Sequence, residues 1–270
     1  MSKIDDENRA TISVVTATYD AAAHLPALIA SLRGQTDRDF EWVVADGGSG
    51  DGTLELLRAV TGLNIVISSQ PDFGIYDALN RAIKLSSGEY YIVCGADDVF
   101  YGDAIANFRN AIIQSGADIV AAHAMYGNRH LTVRKGPTWL FGHGALISAH
   151  TLASAFRKAL HQRFGIFSRK YPIAADQLFV MQACRGGASR YEAGFVAGEI
   201  GRGGVSSMDQ AGNATEVFRV QLALGSSKIV QLVLLFLRLL KGTSKKSHFV
   251  APAQAGAQSN RQAGFPPARE

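Results

Sequence analysis

Two adjacent carboxylates, Asp97 and Asp98, follow the short apolar run Tyr90 to Cys94 in the segment GADD. Just past a buried strand, two unpaired negative charges repel strongly unless a cation compensates them. Oxygen-only ligands suit Mg2+ or Mn2+, which take one or two carboxylates and complete their shell with phosphate oxygens and water. An Asp pair before a helix can also be a simple N-cap. The loop DGGSGDGT, Asp46 to Thr53, offers glycines, a capping carboxylate and backbone N–H groups ahead of a helix. It could approach a nucleotide closely, or form only a surface turn. The stretch PDFGIYDALNRAI, Pro71 to Ile83, joins a turn to an amphipathic helix, for which packing alone is a sufficient role.

A second group of candidates lies further along. Asp176 stands in YPIAADQLFVMQAC, where Ile173, Leu178, Phe179 and Met181 predict an apolar neighbourhood. Burial there would make the carboxylate a better proton acceptor near neutral pH, as activating a hydroxyl requires; a helix N-cap is the competing reading. His143 in FGHGALIS and Arg202 in GRGGVSS lie in Gly-rich loops. Each could clamp a phosphate, against a satisfied buried His and a solvated Arg. Cys94 and Cys184 have no metal-type spacing and read as reduced core thiols.

The elements that must hold these residues follow from periodicity. The run TISVVTAT from Thr11 suits a strand buried on both faces, and Leu25, Leu28, Ile29 and Leu32 follow at helical spacing. Phe40 to Val44 is a second strand, and Leu54, Leu56, Leu57 and Val60 mark a helix closing toward Gly62. Asn64 to Ser68 reads as a third strand, Ile75, Leu79, Ala82 and Ile83 as a helix, and Tyr90 to Cys94 as a fourth strand. Alternation of this kind predicts right-handed crossovers and a mostly parallel, Rossmann-like α/β sheet with helices on both faces. Ligands then gather at the carboxyl ends of the strands, where Tyr19, Asp46, Asp72, Asp97 and Asp98 fall.

Composition narrows the class. Apolar residues make up 47% of the 270, and the formal charge of +4 is too small and too local for a nucleic-acid surface. Nucleic acid is therefore not expected as a partner. The opening MSKIDDENRA has neither a basic nor an apolar signal region, so a cytoplasmic location is expected. No glycine occurs in TATYDAAAH, which argues against a dinucleotide-dependent dehydrogenase and a nucleotidyltransferase; no GxxxxGK[ST] supports a P-loop enzyme.

The ordered set TATYD, DGGSGDGT, QPDFGIYDALNRAI, GADD, AADQLF and GGVSS, over roughly residues 11 to 206, resembles the family 2 glycosyltransferases of the GT-A fold. The resemblance is to the bacterial polysaccharide and lipopolysaccharide branch. It implies inverting transfer of a sugar from a nucleotide-diphosphate donor to an acceptor hydroxyl. By position, Asp176 matches the catalytic base, Asp98 the carboxylate that reaches the metal, and Asp97 a neighbour of the ribose or phosphates. Thr18, Tyr19 and Asp46 match the first two nucleotide-binding segments, and Asp72, Gly74 and Asn80 the third. The segment after Gly203 looks like the loop over the diphosphate, with Arg202, and His143 beside it, as candidates for holding phosphate. Mn2+ or Mg2+ is the implied cofactor, and a saccharide or lipid-linked molecule the implied acceptor. Many members carry a second aspartate where this chain has Gly47, so the donor could be of UDP, dTDP or GDP type. A non-catalytic membrane-surface partner on the same fold would have lost Asp98 or Asp176; both are present.

By this reading, residues 1–135 form the nucleotide-sugar half, 136–210 the acceptor and catalytic-base half, 211–246 the C-terminal amphipathic helices, and 247–270 a disordered tail. KIVQLVLLFLRLLK, residues 228–241, is too short for the ~20 apolar residues of a membrane span. Its polar stripe of Lys228, Gln231, Arg238 and Lys241 leaves a wide apolar face, with Lys245 and Lys246 beyond to meet anionic lipid. Peripheral attachment to the inner face of the cell membrane is the expectation; packing on the catalytic domain or in a homodimer seam is the alternative.

Overall fold

A computed structural model describes residues 11–148, 150–203 and 209–244. Strands β1 (Ile12–Thr18) and β2 (Phe40–Asp46) are buried along nearly their whole length, as strands covered on both faces require. Consecutive side chains feed opposite cores. Val14, Trp42 and Val44 pack with helix α1 (Leu25–Arg33), whereas Val15, Val43 and Ala45 pack with helix α3 (Ile75–Leu85). Helix α1 buries Leu25, Leu28, Ile29 and Leu32, and burying each such side chain stabilises the fold by about 1.5–3 kcal/mol. With helix α2 (Thr53–Arg58) and strands β3 (Asn64–Ser69) and β4 (Tyr90–Val93), these elements build a parallel sheet in the order β3-β2-β1-β4.

The remaining strands extend that sheet. They are β5 (Val99–Phe100), β6 (Ile119–Tyr126), β7 (Arg129–Leu131), β8 (Ser154–Arg157) and β9 (Arg190–Glu199). Beyond β4 the order continues β8-β6-β9-β5, with β7 beside β6. β8 runs antiparallel between β4 and β6, which restores the original direction to β6 and β9. Among the described residues β1 to β4, β6 and β9 run one way and β5, β7 and β8 the other, giving the mostly parallel sheet expected. Because β8 is wedged between β4 and β6, the halves drawn on either side of residue 135 share one sheet.

Helices α4 (Ala104–Ser115), α5 (Thr138–Phe141), α6 (Leu160–Phe164) and α7 (Ala175–Arg185) surround it, with 3-10 turns at Gly142–Ala145 and Thr151–Ala153. Two C-terminal helices, α8 (Gln210–Ala223) and α9 (Lys228–Ser244), pack on each other. Among the described residues no helix is long and apolar enough to cross a membrane. On α9, Ile229, Leu232, Val233, Phe236, Leu237 and Leu240 are exposed, while Gln231 is buried and Arg238 half-buried. The helix thus turns Gln231 and Arg238 toward the protein and much of its apolar face outward.

Candidate active site

The carboxyl ends of β1, β2 and β4 open onto one cavity of about 1230 Å3. Thr18, Tyr19, Asp72, Gly74, Asp97, Asp98, His143 and Asp176 all line it. Asp46, Asn80 and Arg202 are not in its lining, and Asp46 and Asn80 are bonded elsewhere.

Asp46 is fully buried and its carboxylate is saturated. Oδ1 accepts from Thr18 Oγ1 (3.0 Å) and Ser49 Oγ (2.5 Å), and Oδ2 from Gly48 N (2.9 Å), Ser49 N (3.0 Å) and Ser69 Oγ (2.8 Å). Burial alone would push its pKa up, but the bonds from Ser49, Ser69 and Gly48 together hold it below the ordinary carboxylate range. The loop it anchors uses its own N–H groups as well. Gly47 N donates to Thr18 O, Gly50 N to Asp20 Oδ1 and Thr53 N to Asp51 Oδ1, so these groups stay within the loops. The loop reaches the cavity only through Gly47. A Cβ there would stand 2.8 Å from Asp72 Oδ2 and 3.2 Å from the Tyr19 ring, so glycine lets both approach. Tyr19 is 70% exposed, its ring open to a ligand.

Asp97 and Asp98 straddle Gly95 and differ in what they have left to offer. Asp98 is buried, with Oδ1 accepting from Gly201 N and Oδ2 from Gly95 N, both at 2.8 Å. Asp97 is half-buried, lines the cavity and accepts from Gly203 N through Oδ2 at 2.8 Å, with no hydrogen bond to Oδ1 among the described residues. A Cβ on Gly201 would fall 2.1 Å from Asp97 Cγ, so this strand-end turn closes on the carboxylates only with glycine. Among the described residues, neither carboxylate pairs with a cationic side chain, and no three His, Cys, Asp or Glu residues are arranged to hold a metal. One or two uncompensated carboxylates on a cavity wall fit an ion whose remaining ligands come from phosphate and water.

Asp176 lies in the first turn of α7, half-buried. Tyr76 of α3 places its hydroxyl 2.7 Å from Asp176 Oδ1 and 3.0 Å from Ile173 O. One proton serves one acceptor, and the ionised carboxylate is the stronger. Burial first, then the charge of Asp176, pushes the Tyr76 phenol well above its ordinary pKa, so it stays protonated and donates. The segment entering α7 is fixed by buried Glu216 of α8, whose Oε2 accepts from Ile173 N and Ala174 N, each at 2.9 Å.

Asn80 clamps Phe167: its Nδ2 donates to Phe167 O and its Oδ1 accepts from Phe167 N, both at 2.9 Å. Arg202 is exposed, with Nη2 3.2 Å from where a Cβ on Gly127 would sit, while its neighbours Gly201 and Gly203 line the cavity. Gly204 to Ser207, read as the loop over the diphosphate, lie outside the described residues. Tyr76 and Glu216 escaped sequence reasoning, and Arg238 enters it only as part of a polar helix stripe, not as a residue of the cavity. Tyr76 reads there as one residue of an amphipathic helix, and its pairing with Asp176 spans 100 positions.

The profile of glycosyl transferase family 2 matches residues 13–176, and the chain belongs to that family. An uncharacterized glycosyltransferase of Mycobacterium tuberculosis is 30% identical over 185 residues, 64% of this chain and 68% of the relative. A PGL/p-HBAD biosynthesis glycosyltransferase of Mycobacterium bovis is 40% identical over 92 residues. That match spans only 33% of this chain and 36% of the relative. The fold is GT-A. It superposes on mannosyltransferase PcManGT from Pyrobaculum calidifontis, in complex with GDP-Man and Mn2+, with TM-score 0.66 and 18% identity over 88% of this chain and 76% of that one. TarS of S. aureus in complex with UDP-GlcNAc gives TM-score 0.63 and 21% identity over 88% and 76%.

Proposed function

We propose that the chain transfers a sugar, with inversion, from a nucleotide-diphosphate donor to an acceptor hydroxyl in the assembly of a cell-surface polysaccharide or lipopolysaccharide. The observation that carries this reading is one cavity at the strand ends, in a family 2 chain, lined by Asp97, Asp98 and the Tyr76-held Asp176. Mycobacterial and staphylococcal relatives and the GDP-Man, UDP-GlcNAc and Mn2+ ligands of similar folds support the donor class.

In this reading the nucleobase lies against Tyr19 and Asp72, where Gly47 leaves room, and Thr18 and Gly74 line the approach. Asp97, through Oδ1, and Asp98 would hold Mn2+ or Mg2+, which supplies positive charge to the departing diphosphate. Tyr76 fixes Asp176 Oδ1, leaving Oδ2 to take the proton of the acceptor hydroxyl. The acceptor oxygen forms its bond to the anomeric carbon as the bond from that carbon to the diphosphate oxygen breaks. Single displacement inverts the centre, and the proton remains on Asp176. Asp46 and Asn80 serve as braces for the loops around this step.

The exposed apolar face of α9 supports peripheral attachment to the cytoplasmic membrane surface, and Lys245 and Lys246 in the adjoining sequence add positive charge that favours anionic lipid. The test of donor class is a thermal-shift screen of UDP, dTDP, GDP and CMP, as nucleotides and sugars, with and without Mn2+ or Mg2+. Metal-dependent stabilisation by one nucleoside diphosphate is expected. No response to any of them would overturn the transferase reading in favour of a non-catalytic partner.

A further inference from the structure

The cavity carries its charge in two parts. Its acids, Asp20, Asp72, Asp97, Asp98 and Asp176, come from the strand ends and the start of α7, whereas Arg134 precedes α5 and Arg238 belongs to α9. The carbonyls of α5 are capped by three side chains. Gln221 Nε2 donates to Thr138 O (2.7 Å), Gln231 Nε2 to Trp139 O (2.7 Å) and Arg238 Nη2 to Leu140 O (3.2 Å). The next residue but one, Gly142, leads toward the base: a Cβ there would lie 3.7 Å from Gln177 Oε1, and Gln177 adjoins Asp176.

Capping accounts for one nitrogen of Arg238 and no more. Its Nη1 is buried with no hydrogen-bond partner, and among the described residues no carboxylate pairs with the guanidinium. Arg134 has the same lack of a carboxylate; its guanidinium lies 5.7 Å from the Phe141 ring centre. A glutamine caps the two preceding carbonyls without burying charge, so an arginine at the third position needs another reason. A half-buried guanidinium that lines a ligand cavity and keeps one nitrogen, Nη1, without a partner suits an oxyanion that bonds it on two nitrogens once the side chain turns to meet it.

We propose that Arg238, with Arg134, binds a phosphate group carried by the acceptor in the cavity that also takes the donor. The inference rests on the transferase reading and adds the acceptor's charge to it. The phosphate has two sources, an amphiphile reaching the cavity from the surface that α9 faces, or a water-soluble phosphosugar.

The experiment uses the full chain and its Arg238→Gln and Arg238→Lys variants. With GDP or UDP and Mn2+ filling the donor site, dodecyl phosphate and glycerol 3-phosphate are titrated calorimetrically, with dodecyl maltoside and glycerol as neutral controls. Phosphate binding should fall at least about tenfold in Arg238→Gln and be largely kept in Arg238→Lys. Neutral probes should be indifferent to either change. Tighter binding of dodecyl phosphate than glycerol 3-phosphate assigns an amphiphile; equal binding assigns a soluble acceptor. Arg238→Gln should melt within a few degrees of the parent temperature, since the loss of the bond to Leu140 O is offset by removal of a half-buried charge that no carboxylate pairs. Equal phosphate binding by parent and Arg238→Gln overturns the proposal, as does a much lower melting temperature with equal loss of all probes. Nucleotide binding is read separately, and its absence in the parent chain overturns the transferase reading itself.

Discussion

At the scale of the residue, the reaction depends on which carboxylate oxygens remain available. Asp176→Asn keeps the shape and the Tyr76 contact but removes the proton acceptor, so turnover should fall by at least about a hundredfold with donor affinity nearly unchanged. Full activity in that variant would remove Asp176 from the mechanism. Tyr76→Phe tests orientation alone. It should lower kcat about tenfold with donor KM held, because an unheld carboxylate samples unproductive rotamers. A rise in KM with kcat unchanged would make Tyr76 a packing residue. The neighbouring pair separates in the same way. Asp97→Asn should weaken Mn2+-dependent nucleotide binding while leaving the melting temperature within a few degrees. Asp98→Ala should in addition destabilise by about 1–3 kcal/mol, because Gly95 N and Gly201 N lose their acceptors. Calorimetric nucleotide titrations with and without metal, beside thermal melts, distinguish the two.

At the scale of the element, the loop after β2 works as a brace, and its chemistry gives a pH signature. Asp46 is held below the ordinary carboxylate range in the folded state, so the folded form binds fewer protons than the unfolded chain as acid is added. That stabilisation is complete above the unfolded value of about 3.9 and is lost as pH falls through the lower folded value. Asp46→Asn should therefore cost about 1–3 kcal/mol at pH 7 and show a shallower loss of melting temperature below about pH 4 than the parent. Parallel melting curves for the two across that window would remove Asp46 as the source. The same element shows where sequence reasoning stops. β1 to β4 and α1 to α3 were legible because two-face apolar runs and a 3.6-residue period are local signals. Asp46 was rightly placed at a strand end, but its five hydrogen-bond donors come partly from Thr18 and Ser69, 28 and 23 positions away. β5 and β8, two and four residues long, carry too little pattern to be seen and exist through long-range pairing with β9, β4 and β6. The cavity positions of Tyr76 and Arg238 were hidden for the same reason, since the direction of a side chain follows from what packs behind its helix.

At the scale of the whole molecule, α9 is the element whose surroundings are least complete. Eight large apolar side chains, from Ile229 to Leu240, face outward over about three turns, while the helix is attached by Gln231, Arg238 and its contacts with α8. A contiguous apolar face of that kind marks an interaction surface. A bilayer surface fits it better than water does, because the strip is flanked in sequence by Lys228, Lys241, Lys245 and Lys246. Each basic residue near an anionic surface contributes about 1 kcal/mol, and each apolar side chain buried in the interface about 1.5–3 kcal/mol. The full chain should therefore sediment with phosphatidylglycerol-containing vesicles and less with phosphatidylcholine alone, and salt should weaken the difference. Val233→Glu with Phe236→Glu places two charges on the exposed face, where neither parent side chain supports the core. This double variant should bind vesicles at least about tenfold less, with its melting temperature and nucleotide binding unchanged. Equal partitioning of parent and variant would exclude the membrane role. A parent that is dimeric in sedimentation, beside a monomeric variant, would assign the same face to a second copy of the chain.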